Sequence, residues 1–95
     1  MKFEELTKKI VEENLTEYAN IRVGESRGGY NGVCISKNAN GTFNVVYCDE
    51  RGEPVAQHLN IPEEEACNMV YETAINEKEY REYKEKKRAE QGMTF

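Results

Sequence analysis

The 95-residue chain is 38% hydrophobic and 33% charged, carries a net charge of −5 and has no tryptophan. This length and polarity predict one domain, residues 1–95, with a thin core between two layers. The acidic balance disfavours nucleic acid as a partner, because a protein needs a basic surface to bind phosphates.

The compartment can be predicted from the first ten residues and from the apolar runs. Glu4 and Glu5 stand where the apolar region of a secretion signal would have to begin. The longest apolar run, residues 45–48, is far too short to cross a membrane. Three cysteines without a C-x-x-C pair indicate reduced thiols. We therefore expect a soluble cytoplasmic protein without a membrane partner.

Residues 3–18 are predicted to form an amphipathic helix, because apolar side chains recur there at helical spacing without an intervening Gly or Pro. These side chains are Phe3, Leu6, Ile10, Val11, Leu15 and Tyr18.

Between residues 20 and 60 the apolar period changes to two, which predicts strands at 20–25, 30–37, 42–49 and 53–60. The intervening turns are SRGGY, NANGT and DERGE. Each fits a three-residue hairpin loop closed by a left-handed glycine, at Gly29, Gly41 and Gly52. The prediction is a four-stranded antiparallel meander.

This register gives the sheet one apolar face and one mixed face. The apolar face consists of Ile21, Val23, Val33, Ile35, Phe43, Val45, Tyr47, Val55 and Leu59, with Gln57 as its polar member. The mixed face consists of Arg22, Tyr30, Cys34, Ser36, Asn44, Val46, Cys48, Ala56 and His58. The mixed face is more apolar than a solvated surface requires, which suggests a dimer or partner interface.

A second helix is predicted over residues 62–90, with Asn60 as its N-cap and Glu63 as the capping-box partner. Its first part, residues 62–77, has five glutamates and no basic residue. Its charged tail, from about residue 78 to 95, is expected to project or to pack on another subunit. The fold class is therefore α+β, with both helices on one face of the sheet.

The polar residues Cys48, Asp49 and His58 do not predict a catalytic site. The expected register places Cys48 opposite Pro54 and His58 opposite Asn44, beyond hydrogen-bond reach of each other. Asp49 fits the first position of a turn, where Asp is favoured. One His and three scattered Cys lack the spacing of a zinc site. We expect no enzyme activity, no metal and no cofactor.

Two surfaces are the candidates for binding a protein partner. The first is the acidic helix start with nearby turn residues: Glu63, Glu64, Glu65, Glu72, Asp49 and Glu50. Helix capping accounts for part of its charge without any partner. The second is the uncovered mixed face, represented by Tyr30, Val46 and His58.

The stretch FNVVYCDERGEPVAQHLNIPEEEACNMVYETAI, residues 43–75, carries a family resemblance. Its order of strand, ERG turn, strand and acidic helix resembles small immunity proteins of bacterial polymorphic-toxin systems, including contact-dependent growth inhibition. The shared residues are Tyr47, Gly52, Glu65, Ala66 and Cys67. The resemblance implies a protein that neutralises a cognate toxin by direct binding, and it transfers no functional site.

Two other classes of function remain open. A phage-encoded or other small acidic inhibitor of a host enzyme would have the same size, charge and reduced thiols. A homo-oligomeric adaptor, for example a homodimer, would use the long tail and the open sheet face.

Overall fold

The computed structural model describes residues 1–25 and 30–92 of the chain. Its elements are, in order, α1 (Phe3–Glu12), a 3-10 turn (Leu15–Glu17), β1 (Ile21–Val23), β2 (Val33–Lys37), β3 (Phe43–Cys48), β4 (Pro54–Ile61) and α2 (Glu63–Gly92). The protein is therefore α+β, with an N-terminal helix, a four-stranded sheet and a long C-terminal helix, as predicted.

The first helix is shorter than residues 3–18 because the chain turns at Asn14. Asn14 adopts a left-handed conformation with φ 53°, which Asn tolerates better than most residues. Its side-chain amide donates a hydrogen bond to the Glu17 carboxylate at 2.6 Å. The turn lets Leu15 enter the core, where it is fully buried.

The sheet has the order β1-β2-β3-β4, but it is mixed and not an antiparallel meander. β1 runs parallel to β2, with Ile21 opposite Val33 and Val23 opposite Ile35. The predicted β1–β2 hairpin is therefore wrong, and its glycine, Gly29, lies outside the described residues.

The central ladder between β2 and β3 has the predicted register. Val33 lies opposite Tyr47, and Ile35 lies opposite Val45. The turn glycines Gly41 and Gly52 have the predicted positive φ, at 88° and 79°.

The β3–β4 ladder begins as predicted, with Cys48 opposite Pro54, and then shifts by one residue. Tyr47 pairs with Ala56 instead of Val55, and Val45 pairs with His58. Because an extra residue in one strand exchanges its faces, the predicted faces of β4 are wrong from this point on.

This shift moves side chains of β4 away from their predicted neighbours. Ala56 and His58 belong to the helix-covered face, whereas Gln57 pairs with Val46 on the second face. Leu59 alternates with His58 and so follows Gln57 to the second face. Val55 and Leu59 are exposed to 65% and 52%, although both were predicted for the core.

The core lies between the helices and one face of the sheet. Its buried side chains are Leu6, Ile10, Leu15, Val33, Ile35, Phe43, Val45, Ala66, Cys67, Val70 and Ala74. On α2, Ala66, Val70 and Ala74 are fully buried against this core. Their i, i+4, i+8 spacing places them on one helix face.

The second face of the sheet holds a smaller buried cluster of Cys34, Val46 and Cys48. Val46 is only 4% exposed, so its side chain is not presented at the surface as the predicted contact residue of this face. Exposed apolar side chains remain at Tyr30 and Leu59.

Candidate protein-binding surfaces

The start of α2 is used inside the protein. The Phe3 backbone N–H donates to the Glu63 carboxylate at 2.8 Å, and the Lys2 ammonium lies 3.7 Å from the same side chain. The Met1 amino group lies 3.6 Å from Glu64, which is 78% exposed. Asn60 is not the predicted N-cap, because it lies within β4 with a left-handed φ of 56°. Glu63 therefore joins the two helices instead of completing a capping box.

This hydrogen bond should make stability depend on pH. The Phe3 N–H, with help from the Lys2 cation, holds the pKa of Glu63 below its ordinary value of 4.5. A carboxylate with a lowered pKa in the folded state adds stability above its unfolded pKa and loses it as the pH falls through the folded pKa.

We therefore expect Glu63→Gln to lower stability at neutral pH and to flatten the loss of stability on acidification below pH 4.5. Urea unfolding at a series of pH values measures both effects. Glu64→Gln is the control, since this carboxylate accepts no backbone hydrogen bond within the described residues. An unchanged pH profile in Glu63→Gln would contradict the assigned role.

The outer face of α2 carries an acidic stripe, defined by Glu65, Asn68, Glu72, Asn76 and Glu79. All five side chains are exposed. Their spacing of three or four residues keeps them on one face of the helix. From Glu65 to Glu79 the stripe is about 21 Å long at 1.5 Å per residue. It contains no basic residue.

The three glutamates of the acidic stripe are not engaged elsewhere. Within residues 1–25 and 30–92, no hydrogen bond or ion pair involves the side chain of Glu65, Glu72 or Glu79. Glu63 and Glu13 differ in this respect, because the first binds the start of α1 and the second accepts a hydrogen bond from the Tyr71 hydroxyl at 2.9 Å. The acidic stripe is thus free to meet an external cation.

The turn residues Asp49 and Glu50 do not belong to the start of α2. Ile61, which precedes α2, pairs with Phe43 at one end of β3, whereas Asp49 follows the other end. The two ends of β3 are about 17 Å apart, at about 3.3 Å per residue. The Asp49 carboxylate accepts the N–H groups of Arg51 and Glu53, each at 2.9 Å. Asp49 therefore shapes its own turn, and Glu50 is exposed beside it.

The residues predicted on the second sheet face are dispersed. Tyr30 is 60% exposed, and its ring lies close against Gly52. Val46 is buried beneath that face. His58 lies on the helix side, where its ring meets the Tyr47 ring edge-on at 6.0 Å. Tyr30, Val46 and His58 therefore do not form one surface.

An open groove of about 410 Å³ lies where α2 passes over β2 and β3. It is lined by Ala19, Asn31, Gly32, Val33, Tyr47, Cys48, Thr73 and Glu77. The hydroxyl oxygens of Tyr47 and Thr73 are 3.2 Å apart within it. These hydroxyls can donate and accept hydrogen bonds, and the Glu77 carboxylate can accept them.

The thiols are poor candidates for chemistry. All three cysteines are buried, and none of them forms a disulfide within the described residues. Burial, aided by the nearby Glu63 charge, raises the pKa of Cys67 to about 11, so the reactive thiolate is scarce at neutral pH. Cys48 and His58 lie on opposite faces of the sheet, since Cys48 belongs with Val46 on the second face.

The described part of the chain contains no cluster of three His, Cys, Asp or Glu residues that could hold a metal ion. Among the same residues, no helix combines the length and apolar character needed to cross a membrane.

Sequence reasoning found Glu65 and Glu72 but missed Glu79, although the seven-residue spacing of the three was visible in the sequence. Comparison of the chain with protein families, with curated proteins and with solved structures finds no match. The resemblance to immunity proteins accordingly stays a prediction, and the surfaces described above carry the argument about function.

Proposed function

We propose that the protein is an immunity protein that binds a cognate bacterial toxin domain and neutralises it by direct contact. The observation that supports this proposal is the acidic stripe, whose three glutamates are exposed, aligned and free of internal partners. The resemblance of residues 43–75 to such proteins provides the class of partner.

The electrostatics suit a basic partner. A toxin that attacks nucleic acid needs a basic active site, and an acidic inhibitor gains association rate and specificity from the opposite charge. The stripe is straight and about 21 Å long, which is the scale of a substrate groove for a few nucleotides. Its carboxylates would take the places of substrate phosphates.

Co-expression with the candidate toxin tests the function directly. The C-terminal domain encoded by the gene immediately upstream is produced in a bacterium, with and without this protein, and growth is measured. We expect growth arrest that this protein relieves. A neighbour without toxicity, or arrest that persists in the presence of the protein, would refute the proposal.

Charge reversal tests the surface. We expect Glu65→Lys/Glu72→Lys/Glu79→Lys to slow toxin association at least about tenfold at low salt, with a smaller difference at high salt. The control is Glu82→Lys/Glu85→Lys/Glu90→Lys, which makes the same change in net charge farther along α2. Stopped-flow or surface-plasmon kinetics measure the rates.

The outcome can be separated from an effect on folding. Glu65 lies in the first turn of α2, where a lysine opposes the helix dipole. The double variant Glu72→Lys/Glu79→Lys avoids this cost and should retain most of the effect. If the stripe variant and the tail control associate with the toxin at equal rates, the acidic stripe is not the binding surface.

A small inhibitor of a host enzyme, encoded by a phage, would present the same acidic stripe. The genetic neighbourhood separates the two proposals, because this alternative requires adjacent phage genes instead of a toxin gene. Rescue from the product of a neighbouring toxin gene supports the immunity protein alone.

A further inference from the structure

β4 is the most exposed element of the sheet. Within residues 1–25 and 30–92 it is the longest strand, with eight residues, and it pairs there with β3 alone. Every side chain from Val55 to Asn60 is exposed. α2 packs mainly on β2 and β3, and on β4 it leaves the side chains of Val55–Asn60 exposed on both faces of the strand.

The protection of this edge is confined to its ends. Soluble proteins usually guard an edge strand with charged residues, proline or bulges, because its unpaired backbone groups attract other strands. β4 has Pro54 at its start, and the register shifts lie near its two ends. Its sequence, PVAQHLNI, contains no Asp, Glu, Lys or Arg, although a third of the chain is charged. The middle of the edge is therefore open to pairing.

The hydrogen-bonding direction identifies the free backbone groups. The Asp49 N–H donates to the Glu53 carbonyl, and the Cys48 N–H points to Gly32 on the other side. Backbone groups alternate along a strand, so Val45 and Tyr47 turn theirs toward β4.

The partners of Val45 and Tyr47 in β4, His58 and Ala56, consequently bond to β3. Gln57 lies between Ala56 and His58, and Leu59 follows His58. The N–H and C=O groups of Gln57 and Leu59 therefore point away from β3. Gln57, with its outward donor and acceptor, thus lies in the regular part of the edge. Leu59 lies at the border of that part, just before the register shift toward Ile61.

We propose that β4 pairs antiparallel with β4 of a second copy of this chain, across a two-fold axis at His58. In this register Gln57 of one copy lies opposite Leu59 of the other, and each such pair exchanges two backbone hydrogen bonds. This pairing gives a hydrogen-bond partner to every outward N–H and C=O group of Gln57 and Leu59. It also joins the two four-stranded sheets into one continuous sheet.

A second copy suits this edge better than an arbitrary strand. Two chains of net charge −5 repel each other, and an uncharged strand is where they can meet without opposing carboxylates. The pairing is isologous, since Gln57 meets Leu59 and Leu59 meets Gln57. Because it involves few residues, we expect a dimer that dissociates on dilution.

Proline at position 57 tests the pairing. Gln57→Pro removes an outward N–H and leaves the β3 ladder intact, as proline at an edge allows. We expect the wild type to pass from monomer to dimer with concentration in analytical ultracentrifugation. Gln57→Pro should weaken dimerisation at least about tenfold while the far-ultraviolet circular dichroism stays that of the wild type.

Cysteine cross-linking tests the axis. His58→Cys should form a disulfide-linked dimer under mild oxidation, because residues directly opposite in a non-hydrogen-bonded pair have Cα atoms about 4.5 Å apart. Val55→Cys is the matched control on the same strand. In this register it is opposite residue 61 of the second copy and should not cross-link to itself. The native thiols are buried and should contribute little.

The proposal is overturned if the wild type stays monomeric up to millimolar concentration. It is equally overturned if a dimer persists in Gln57→Pro and His58→Cys does not cross-link. If Gln57→Pro instead impairs toxin binding by a monomeric wild type, the edge receives a toxin strand and the self-pairing is wrong. These measurements on the isolated protein leave toxin neutralisation untouched, so the two proposals fail separately.

Discussion

Gly32→Ala should destabilise the protein by at least about 3 kcal/mol, a large share of the free energy of unfolding of a domain this small. A Cβ atom at Gly32 would collide with the Asn20 carbonyl oxygen and would lie 2.8 Å from the Asn20 Cβ. The same Asn20 carbonyl accepts the Val33 N–H at 2.9 Å. The clash therefore falls on the backbone contact that joins β1 to β2, and neither backbone can yield without breaking it. Urea unfolding followed by circular dichroism measures the loss.

Gly41 is the matched control, because its glycine is needed for a different reason. A Cβ there would meet no atom within 4 Å, but φ is +88°. Gly41→Ala should cost about 1–2 kcal/mol from the left-handed conformation, and Gly41→Asn should recover part of this loss. At Gly32 the Asn variant should be less stable than the Ala variant, because the larger Asn side chain clashes more. Equal tolerance of Asn at both positions would contradict the close contact with Asn20.

Phe43→Ala should cost about 3–5 kcal/mol, the range for deleting a buried aromatic side chain. Phe43 is 1% exposed at the first position of β3, and its ring centroid is 5.3 Å from that of Phe3 in α1. Its removal would leave a cavity between the first helix and the sheet, at the end where α2 begins. The midpoint of urea unfolding should fall sharply.

Tyr83→Ala is the control for Phe43→Ala. It also deletes an aromatic ring, but Tyr83 is 58% exposed on α2. The free energy of unfolding of Tyr83→Ala should stay within about 0.5 kcal/mol of the wild-type value. A loss below about 1 kcal/mol for Phe43→Ala would mean that the two helices and the sheet do not share the core described here.

The alternation of apolar residues predicted the strands but not their directions. Ile21 and Val23 share a face with Val33 and Ile35 in either pairing, because alternation has the same period in both directions. Hydrophobicity therefore does not encode whether β1 runs parallel or antiparallel to β2. The predicted β3–β4 register is wrong for a related reason. One extra residue in β4 exchanges its faces, and no glycine marks the place.

The binding surfaces were predicted in part. Glu65 and Glu72 could be placed on an exposed helix face from spacing alone, since the buried positions of α2 are all apolar or small. The partner of Glu63 could not be predicted, because the Phe3 N–H approaches it only when α1 packs against the start of α2. The separation of Asp49 from that helix start follows from β4, which runs between them and places them at opposite ends of β3. The predicted strand at 53–60 already implied this separation.

The length of α2 has a consequence for amide hydrogen exchange. Ala66, Val70 and Ala74 are fully buried, so amides in this half should exchange only when the whole domain opens. The Arg81 guanidinium donates to the Glu17 carbonyl at 2.7 Å. From residue 82 to 90 every side chain is exposed, and such a segment is too short to be a stable helix alone. Its amides should exchange by fraying from the end, so one continuous helix would contain both the slowest and the fastest helical protons of the protein.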